Sequence, residues 1–345
     1  MTEVTKRLNV VERAQMAAQV QRIAKTPAPR VDAHSGEKLV FVAHFDGTNN
    51  DKDNVHLSGN PYPTNVAELW AQMKVRENGN DNFRAEYYRG VGTDPGSKGL
   101  AGVLLPSDEM RATARKAYLD LEIEASNWLH AHPQADPGTS LQVMASGFSR
   151  GGGTAAIFSQ MLYENGLTDP RSGQQLVAPG QLGLAGAMIY DPVATGYDGN
   201  AAFSPASKNI TVVRAQHEYR EWFKGVDHRG HPGVSTVEVM GNHCNIGGGY
   251  DQGISARVLE ASTEWFRRGG VPVSDCSSKT GRCANSAYRR LWGRASRRIG
   301  ARRRNWNWRR RRKSDNHINR ASAILMLYSH RNPAMESERW LACSV

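Results

Sequence analysis

Ser149 is the residue whose setting most clearly predicts chemistry in this sequence. It lies in the run GFSRG, between Gly147 and Gly151. A serine in such a pattern sits on a sharp strand-to-helix turn that lifts its hydroxyl above a sheet, and only glycine tolerates the crowding on either side. The apolar run 141–146 and the small residues 152–156 provide the strand and the helix that the pattern requires. We therefore predict a nucleophile elbow; the alternative is a plain Gly-Ser connecting loop.

A serine nucleophile needs a histidine to take its proton and a carboxylate to hold that histidine in one tautomer. In folds with this turn, the acid and then the histidine follow the serine along the chain. We select His243 as the base, because it follows a predicted strand and precedes a Gly-rich loop. The acid is open between two residues. Asp191 directly follows the apolar strand GAMIY and should emerge at the same sheet edge as Ser149, whereas Glu218 begins the predicted helix HEYREWF and has a simpler role at the helix dipole. We favour Asp191.

The developing negative charge of such a reaction needs two backbone amides. One is expected from Arg150, directly after the nucleophile, and the other from Gly47 or Thr48, in the loop after an earlier strand. We expect Asp46 to order that loop through its side chain. The acidic stretch 46–53 lacks the glycine and the closing glutamate of an EF-hand loop, so we predict neither a metal nor a cofactor.

Residues 38–276 alternate apolar strand patterns with helical patterns. This alternation predicts a mostly parallel sheet with helices on both faces. Before it, residues 1–37 form a predicted helical extension.

The four cysteines lack the paired spacing of a zinc site, and we expect free thiols. The first thirty residues contain no apolar run typical of a signal peptide, and no run is long enough to span a bilayer, so we expect synthesis in the cytoplasm without a leader.

The basic charge is concentrated at the end of the chain. Residues 277–345 contain 18 Lys and Arg against 3 Asp and Glu, a net charge of +15. The whole chain of 345 residues carries +11, so residues 1–276 carry −4. We predict that 277–345 is a basic, disordered tail, because it has few aliphatic residues to bury.

Five motifs occur in one order along the chain, and together they resemble one family. That family is a group of bacterial α/β-hydrolases that includes the type VI secretion lipase effectors with phospholipase A activity. The similarity covers about 38–270, which is the catalytic domain only. The resemblance implies an α/β-hydrolase fold and a triad of Ser149, Asp191 and His243. The motifs are FDGTNN (45–50), YYRGVGT (87–93), GFSRG (147–151), DPV (191–193) and HCNIGGGY (243–250).

The leading hypothesis is a serine hydrolase that cleaves carboxylic esters of lipids, phospholipids by resemblance, through an acyl-serine intermediate. A second hypothesis is a general esterase that acts on soluble esters, which the same triad would serve. A third is a binding protein whose basic tail grips nucleic acid or an anionic membrane surface; of these two partners we favour the membrane. The resemblance also implies secretion into target cells, with a secretion-apparatus component and an immunity protein as partners.

Overall fold

The computed structural model describes residues 8–93, 107–218, 225–249 and 253–277. The predicted basic tail therefore lies outside the described residues, except for Ser277. The predicted helix that starts near Glu218 also runs into residues that are not described. The boundaries proposed for the tail and for the N-terminal extension stay predictions.

A six-stranded parallel sheet forms the centre of the molecule, in the order β2-β1-β3-β6-β7-β8. Its four inner strands are short and mostly apolar, as expected for strands covered on both faces, whereas the edge strands carry polar residues and are partly exposed. β1, β3 and β6 are the most deeply buried. The strands are β1 (Leu39–Phe45), β2 (Phe83–Tyr88), β3 (Leu141–Phe148), β6 (Gly186–Tyr190), β7 (Ile210–Ala215) and β8 (Val234–Val239), and a separate hairpin pairs β4 (Leu167–Thr168) with β5 (Gln175–Val177).

Helices cover both faces of the sheet. α3 and α5 pack on the face formed by Phe41 and Ala43, whereas α1, α2 and α7 pack on the face formed by Val40 and Val42. The helices are α1 (Val10–Lys25), α2 (Asn65–Glu77), α3 (Ser107–Ala131), α4 (Pro137–Ser140), α5 (Arg150–Asn165), α6 (His243–Gly247) and α7 (Ile254–Arg268), with a short 3-10 helix at Val55–Ser58. The predicted α/β-hydrolase class, a parallel sheet with helices on both faces, is confirmed.

Local sequence explains several boundaries. Asn9 caps α1 in a capping box with Glu12, and Thr64 caps α2 through its hydroxyl.

The expectation of free thiols is wrong for Cys244 and Cys276, which are both disulfide-bonded, because spacing along a chain does not show which cysteines meet in space. None of the described helices has the length and hydropathy that a bilayer crossing requires.

Candidate active site

Ser149 occupies a strained turn between β3 and α5. Its φ is 56° and its ψ is −126°, a region that side-chain-bearing residues rarely enter. The turn is fixed on both sides, because the Ser149 amide donates to the Tyr190 carbonyl at 3.0 Å and the Ser149 carbonyl accepts from Val193 at 3.0 Å. The backbone geometry is that of a nucleophile elbow.

The two glycines of the motif are required by close backbone contacts. A Cβ on Gly147 would lie 2.6 Å from the Gly151 carbonyl oxygen. A Cβ on Gly151 would lie 2.2 Å from the Phe45 carbonyl oxygen. Both neighbours are backbone atoms, one in the first turn of α5 and one at the end of β1, so the turn that presents Ser149 requires glycine at both positions.

Asp191 and His243 meet at the carboxyl edge of the sheet. The His243 Nδ1 atom lies 2.7 Å from Asp191 Oδ2, and both side chains are about 95% buried. The other Asp191 oxygen accepts from the Ala215 amide at 3.1 Å, which fixes the carboxylate. Asp191 has a φ of 40°, so its backbone is also strained directly after β6. His243 begins α6, whose N-cap is Asn242. The arrangement can hold the ring with Nε2 free to act as a base.

Glu218 lies near the same ring, but farther away. Its Oε2 is 3.9 Å from His243 Nδ1, beyond hydrogen-bond distance, and its side chain is 13% exposed. Asp191, and not Glu218, is thus the acid within hydrogen-bond distance of His243 Nδ1.

Ser149 directly follows a residue that contacts His243. The His243 ring packs against Phe148, with 4.6 Å between the ring centroids, and Ser149 is 7% exposed. Within the part of the chain that the structure describes, the Ser149 hydroxyl makes no hydrogen bond. Catalytic hydrogen bonds often tighten only when substrate binds, so the missing hydroxyl hydrogen bond does not decide the role of the serine.

The loop after β1 is held by the buried Asp46. Its carboxylate accepts hydrogen bonds from Tyr87 Oη at 2.6 Å, Thr64 Oγ1 at 2.9 Å and the Gly47 amide at 2.8 Å. Burial raises the pKa of Asp46 to about 6, although these three donors favour the ionised form. The Gly47 amide is occupied by Asp46, which leaves Thr48 as the better candidate for the second oxyanion donor.

Arg150 joins this loop to the nucleophile through its side chain. The guanidinium is 1% exposed; Nη1 donates to Thr48 Oγ1 at 3.1 Å and Nε donates to the Thr195 carbonyl at 3.1 Å. The Arg150 amide is at the first position of α5, where a backbone donor has no partner within the helix and the helix dipole favours negative charge. The sequence predicted the use of this amide but missed the side chain, because no local pattern links residues so far apart.

One group of described residues has the spacing to hold a metal ion. Single ligand atoms of Asp191, Glu218 and His243 lie within 4.8 Å of one another. His243 Nδ1 and both Asp191 oxygens already take part in hydrogen bonds within the site. We therefore interpret the group as an acid–histidine pair with a second carboxylate nearby.

One family model matches part of this chain. Residues 39–182 match the model described as T6SS, Phospholipase effector Tle1-like, catalytic domain. The resemblance predicted from the motifs is confirmed. The matched segment contains Ser149 and the loop of Thr48, and it ends before Asp191 and His243.

Solved structures resemble this chain at low identity. An uncharacterized protein from Pseudomonas aeruginosa is 17% identical with a TM-score of 0.48, over 84% of this chain and 54% of that one. The Tle1 effector bound to the VgrG spike of the type 6 secretion system is 17% identical with a TM-score of 0.43, over 73% and 57%. A putative alpha/beta hydrolase of unknown function from Agrobacterium tumefaciens is 13% identical with a TM-score of 0.35, over 73% and 93%.

This chain thus aligns with only 54% and 57% of the first two proteins, about half of their length. No curated protein sequence matches it significantly.

Proposed function

We propose that this protein is a serine hydrolase that cleaves carboxylic esters of lipids, with phospholipids as substrates. The observation that carries the proposal is the 2.7 Å hydrogen bond between Asp191 and His243 at the sheet edge where Ser149 occupies its strained turn. A nucleophile, a base and an orienting acid at one edge are what acyl transfer requires.

In the first step, His243 Nε2 takes the proton of Ser149 Oγ while Oγ attacks the ester carbonyl carbon. The carbonyl oxygen becomes an anion, and the amides of Arg150 and Thr48 stabilise it. Asp191 holds the ring tautomer and stabilises the imidazolium. The bond to the leaving alcohol then breaks, and the alcohol takes its proton from His243, which leaves an acyl group on Ser149.

In the second step, water replaces the alcohol. His243 takes a proton from water, whose oxygen attacks the acyl carbon and forms a second oxyanion. The bond to Ser149 Oγ breaks, and the serine recovers its proton from His243. The products are a fatty acid and the alcohol, which is a lysophospholipid when the substrate is a phospholipid.

The family match supports the choice of lipid, because its description names a phospholipase effector. The acid–histidine geometry alone would serve a soluble ester equally well. The decisive experiment measures fatty-acid release from phospholipid vesicles, and turnover of a short soluble ester, by the wild type and by Ser149→Ala. Hydrolysis of the soluble ester only would support the general esterase, and undiminished turnover by folded Ser149→Ala would exclude the serine mechanism.

The same description, a type VI secretion effector, supports delivery into target cells by that apparatus. A component of the apparatus is then a partner; the Tle1 effector was solved in a complex with the VgrG spike. An immunity protein in the producing cell and membrane binding through 277–345 stay predictions. Secretion assays with and without an active apparatus would test the route.

A further inference from the structure

The topology creates two crevices beside β1. β1 lies between β2 and β3 in the sheet. The chain leaves β1 for α2 on one face, whereas the helices that follow β2 and β3, α3 and α5, pack on the other face. On both sides of β1, the connections that leave neighbouring strands therefore run to opposite faces of the sheet. In open α/β sheets, ligands bind at such switch points, outside the carboxyl ends of the strands.

The crevice between β1 and β3 contains Ser149. The one between β1 and β2 contains a cavity of about 480 Å³, within the range of small-molecule sites. Its walls come from 51–53 after β1, from 87–93 at the end of β2, and from 109–116 on α3. We call this cavity the β2 crevice. The mechanism described above uses none of it.

A single backbone loop separates the β2 crevice from the nucleophile. On one side, the Asn49 amide donates to the Val91 carbonyl at 2.8 Å, and the Gly90 amide donates to the Asn50 carbonyl at 2.9 Å. On the other side, the same loop packs against the elbow, since a Cβ on Gly47 would meet the Phe148 ring at 2.7 Å. The loop 47–50 therefore contacts both the elbow and the end of β2 that lines the crevice.

The walls of the β2 crevice carry both signs of charge. Lys52 Nζ lies 2.7 Å from Asp53 and 5.5 Å from the centroid of the Tyr87 ring. Lys116 Nζ lies 2.6 Å from Asp120 Oδ2 and 5.3 Å from the centroid of the Tyr88 ring. In all, three basic and three acidic residues line it: Lys52, Arg89, Lys116, Asp51, Asp53 and Glu109.

This balance fits a zwitterion better than an anion. An anionic ligand would meet three carboxylates, whereas a zwitterion places a phosphate at the lysines and an ammonium at the carboxylates. We infer that the β2 crevice binds the phosphate-and-ammonium headgroup of the phospholipid whose ester Ser149 attacks. The inference rests on the proposed function and names the substrate class, a zwitterionic phospholipid.

Direct binding tests the inference without catalysis. In Ser149→Ala, calorimetry with phosphoethanolamine is expected to show saturable binding, about tenfold weaker in Lys52→Gln or Lys116→Gln, because each loses one charge-assisted contact. Lys208→Gln is the matched control, since this exposed lysine precedes β7, which is separated from β2 by three strands of the sheet. Inorganic phosphate and ethanolamine are titrated separately. If phosphate alone binds as tightly as phosphoethanolamine, the zwitterion assignment is overturned.

Kinetics provide the second test. Lys52→Gln and Lys116→Gln in the active protein are expected to lower kcat/KM for phosphatidylethanolamine, relative to that for a short soluble ester, by about tenfold through KM. An unchanged ratio together with no phosphoethanolamine binding would overturn the inference and leave the serine hydrolase intact. Saturable binding in a chain that hydrolyses no ester would instead refute the proposed function and retain the crevice as a binding site.

Discussion

Two histidines near β3 show how position decides chemistry. His44 Nδ1 lies 2.8 Å from Ser146 Oγ, on neighbouring positions of β1 and β3. The hydroxyl of Ser149, three residues later, makes no hydrogen bond among the described residues, and the His243 ring packs against the neighbouring Phe148. A search for the shortest serine–histidine contact would choose the first pair. The difference is that Ser146 lies within the sheet, whereas Ser149 is lifted above its carboxyl edge.

The surroundings of the two rings also differ. Burial, and to a smaller degree the charge of Lys74, lowers the pKa of His44 to about 3. Such a ring stays neutral at physiological pH and is a weak base. His44 has no carboxylate at Nδ1 and no partner for Nε2 among the described residues. His243 instead donates to Asp191.

The largest difference between the two serine–histidine pairs is expected when each serine hydroxyl is removed. Ser149→Ala is expected to lower turnover by about 10⁴- to 10⁶-fold, because the nucleophile is lost. Ser146→Ala is expected to leave turnover within about threefold of the wild type. Rates of fatty-acid release, with circular dichroism to verify folding, measure both. Loss of activity in Ser146→Ala with retention in Ser149→Ala would transfer the reaction to the buried pair.

The next largest effect concerns the acid beside His243. Asp191→Asn is expected to lower kcat by about 10⁴-fold, because the ring tautomer is no longer held. Glu218→Gln is expected to cost less than tenfold, since its carboxylate lies 3.9 Å from Nδ1. The exposed Glu238 on β8 provides a charge-matched control as Glu238→Gln. A greater loss in Glu218→Gln than in Asp191→Asn would assign the orienting role to Glu218.

The sequence predicts the site where local pattern sets geometry. The strand, the glycines and the small residues around Ser149 are contiguous, and strand β6 ends at Tyr190, directly before Asp191. Thus the elbow and the edge position of the acid follow from short-range order. Short-range order favours Asp191 over Glu218 but does not show which acid contacts His243, because that depends on the spatial distance to a ring about 50 and 25 residues away. Counting strands alone would have chosen Glu218.

Long-range polar contacts lie beyond such reasoning. Arg150 is 102 residues from Thr48 and 45 residues from Thr195, and nothing in the local sequence of these three residues indicates that they meet. The occupied Gly47 amide is likewise visible only in three dimensions. Sequence patterns place residues at a sheet edge, and the packing of loops decides which donors remain available.

A smaller effect on turnover is expected where Arg150 holds the oxyanion loop. Thr48→Val retains the backbone amide but removes the acceptor of Arg150 Nη1, so we expect about a tenfold fall in kcat with little change in KM, below the 10²- to 10³-fold cost of losing a donor. Arg150→Lys removes the same hydrogen bond. The double variant should therefore lose less than the sum of the two single effects. Full additivity in the double-mutant cycle would show that the two side chains act separately.

The smallest effect on turnover, and one visible in stability, is expected at His44. Its folded pKa is depressed from 6.5 to about 3, so the unfolded state binds more protons between these values. The stability that the neutral ring contributes is present above pH 6.5 and is lost as pH falls toward 3. Asp46 acts with the opposite sign, because its pKa is raised from 3.8 to about 6, and its contribution to stability is lost as pH rises through that window.

Urea unfolding at pH 4, 5 and 6.5 measures both effects. On acidification, His44→Gln should therefore lose less free energy of unfolding than the wild type, by roughly 1–3 kcal/mol. Asp46→Asn should show a larger loss than the wild type. Equal pH dependence in His44→Gln and the wild type would mean that His44 is protonated in the folded protein, and the contrast with His243 would then lose its electrostatic basis.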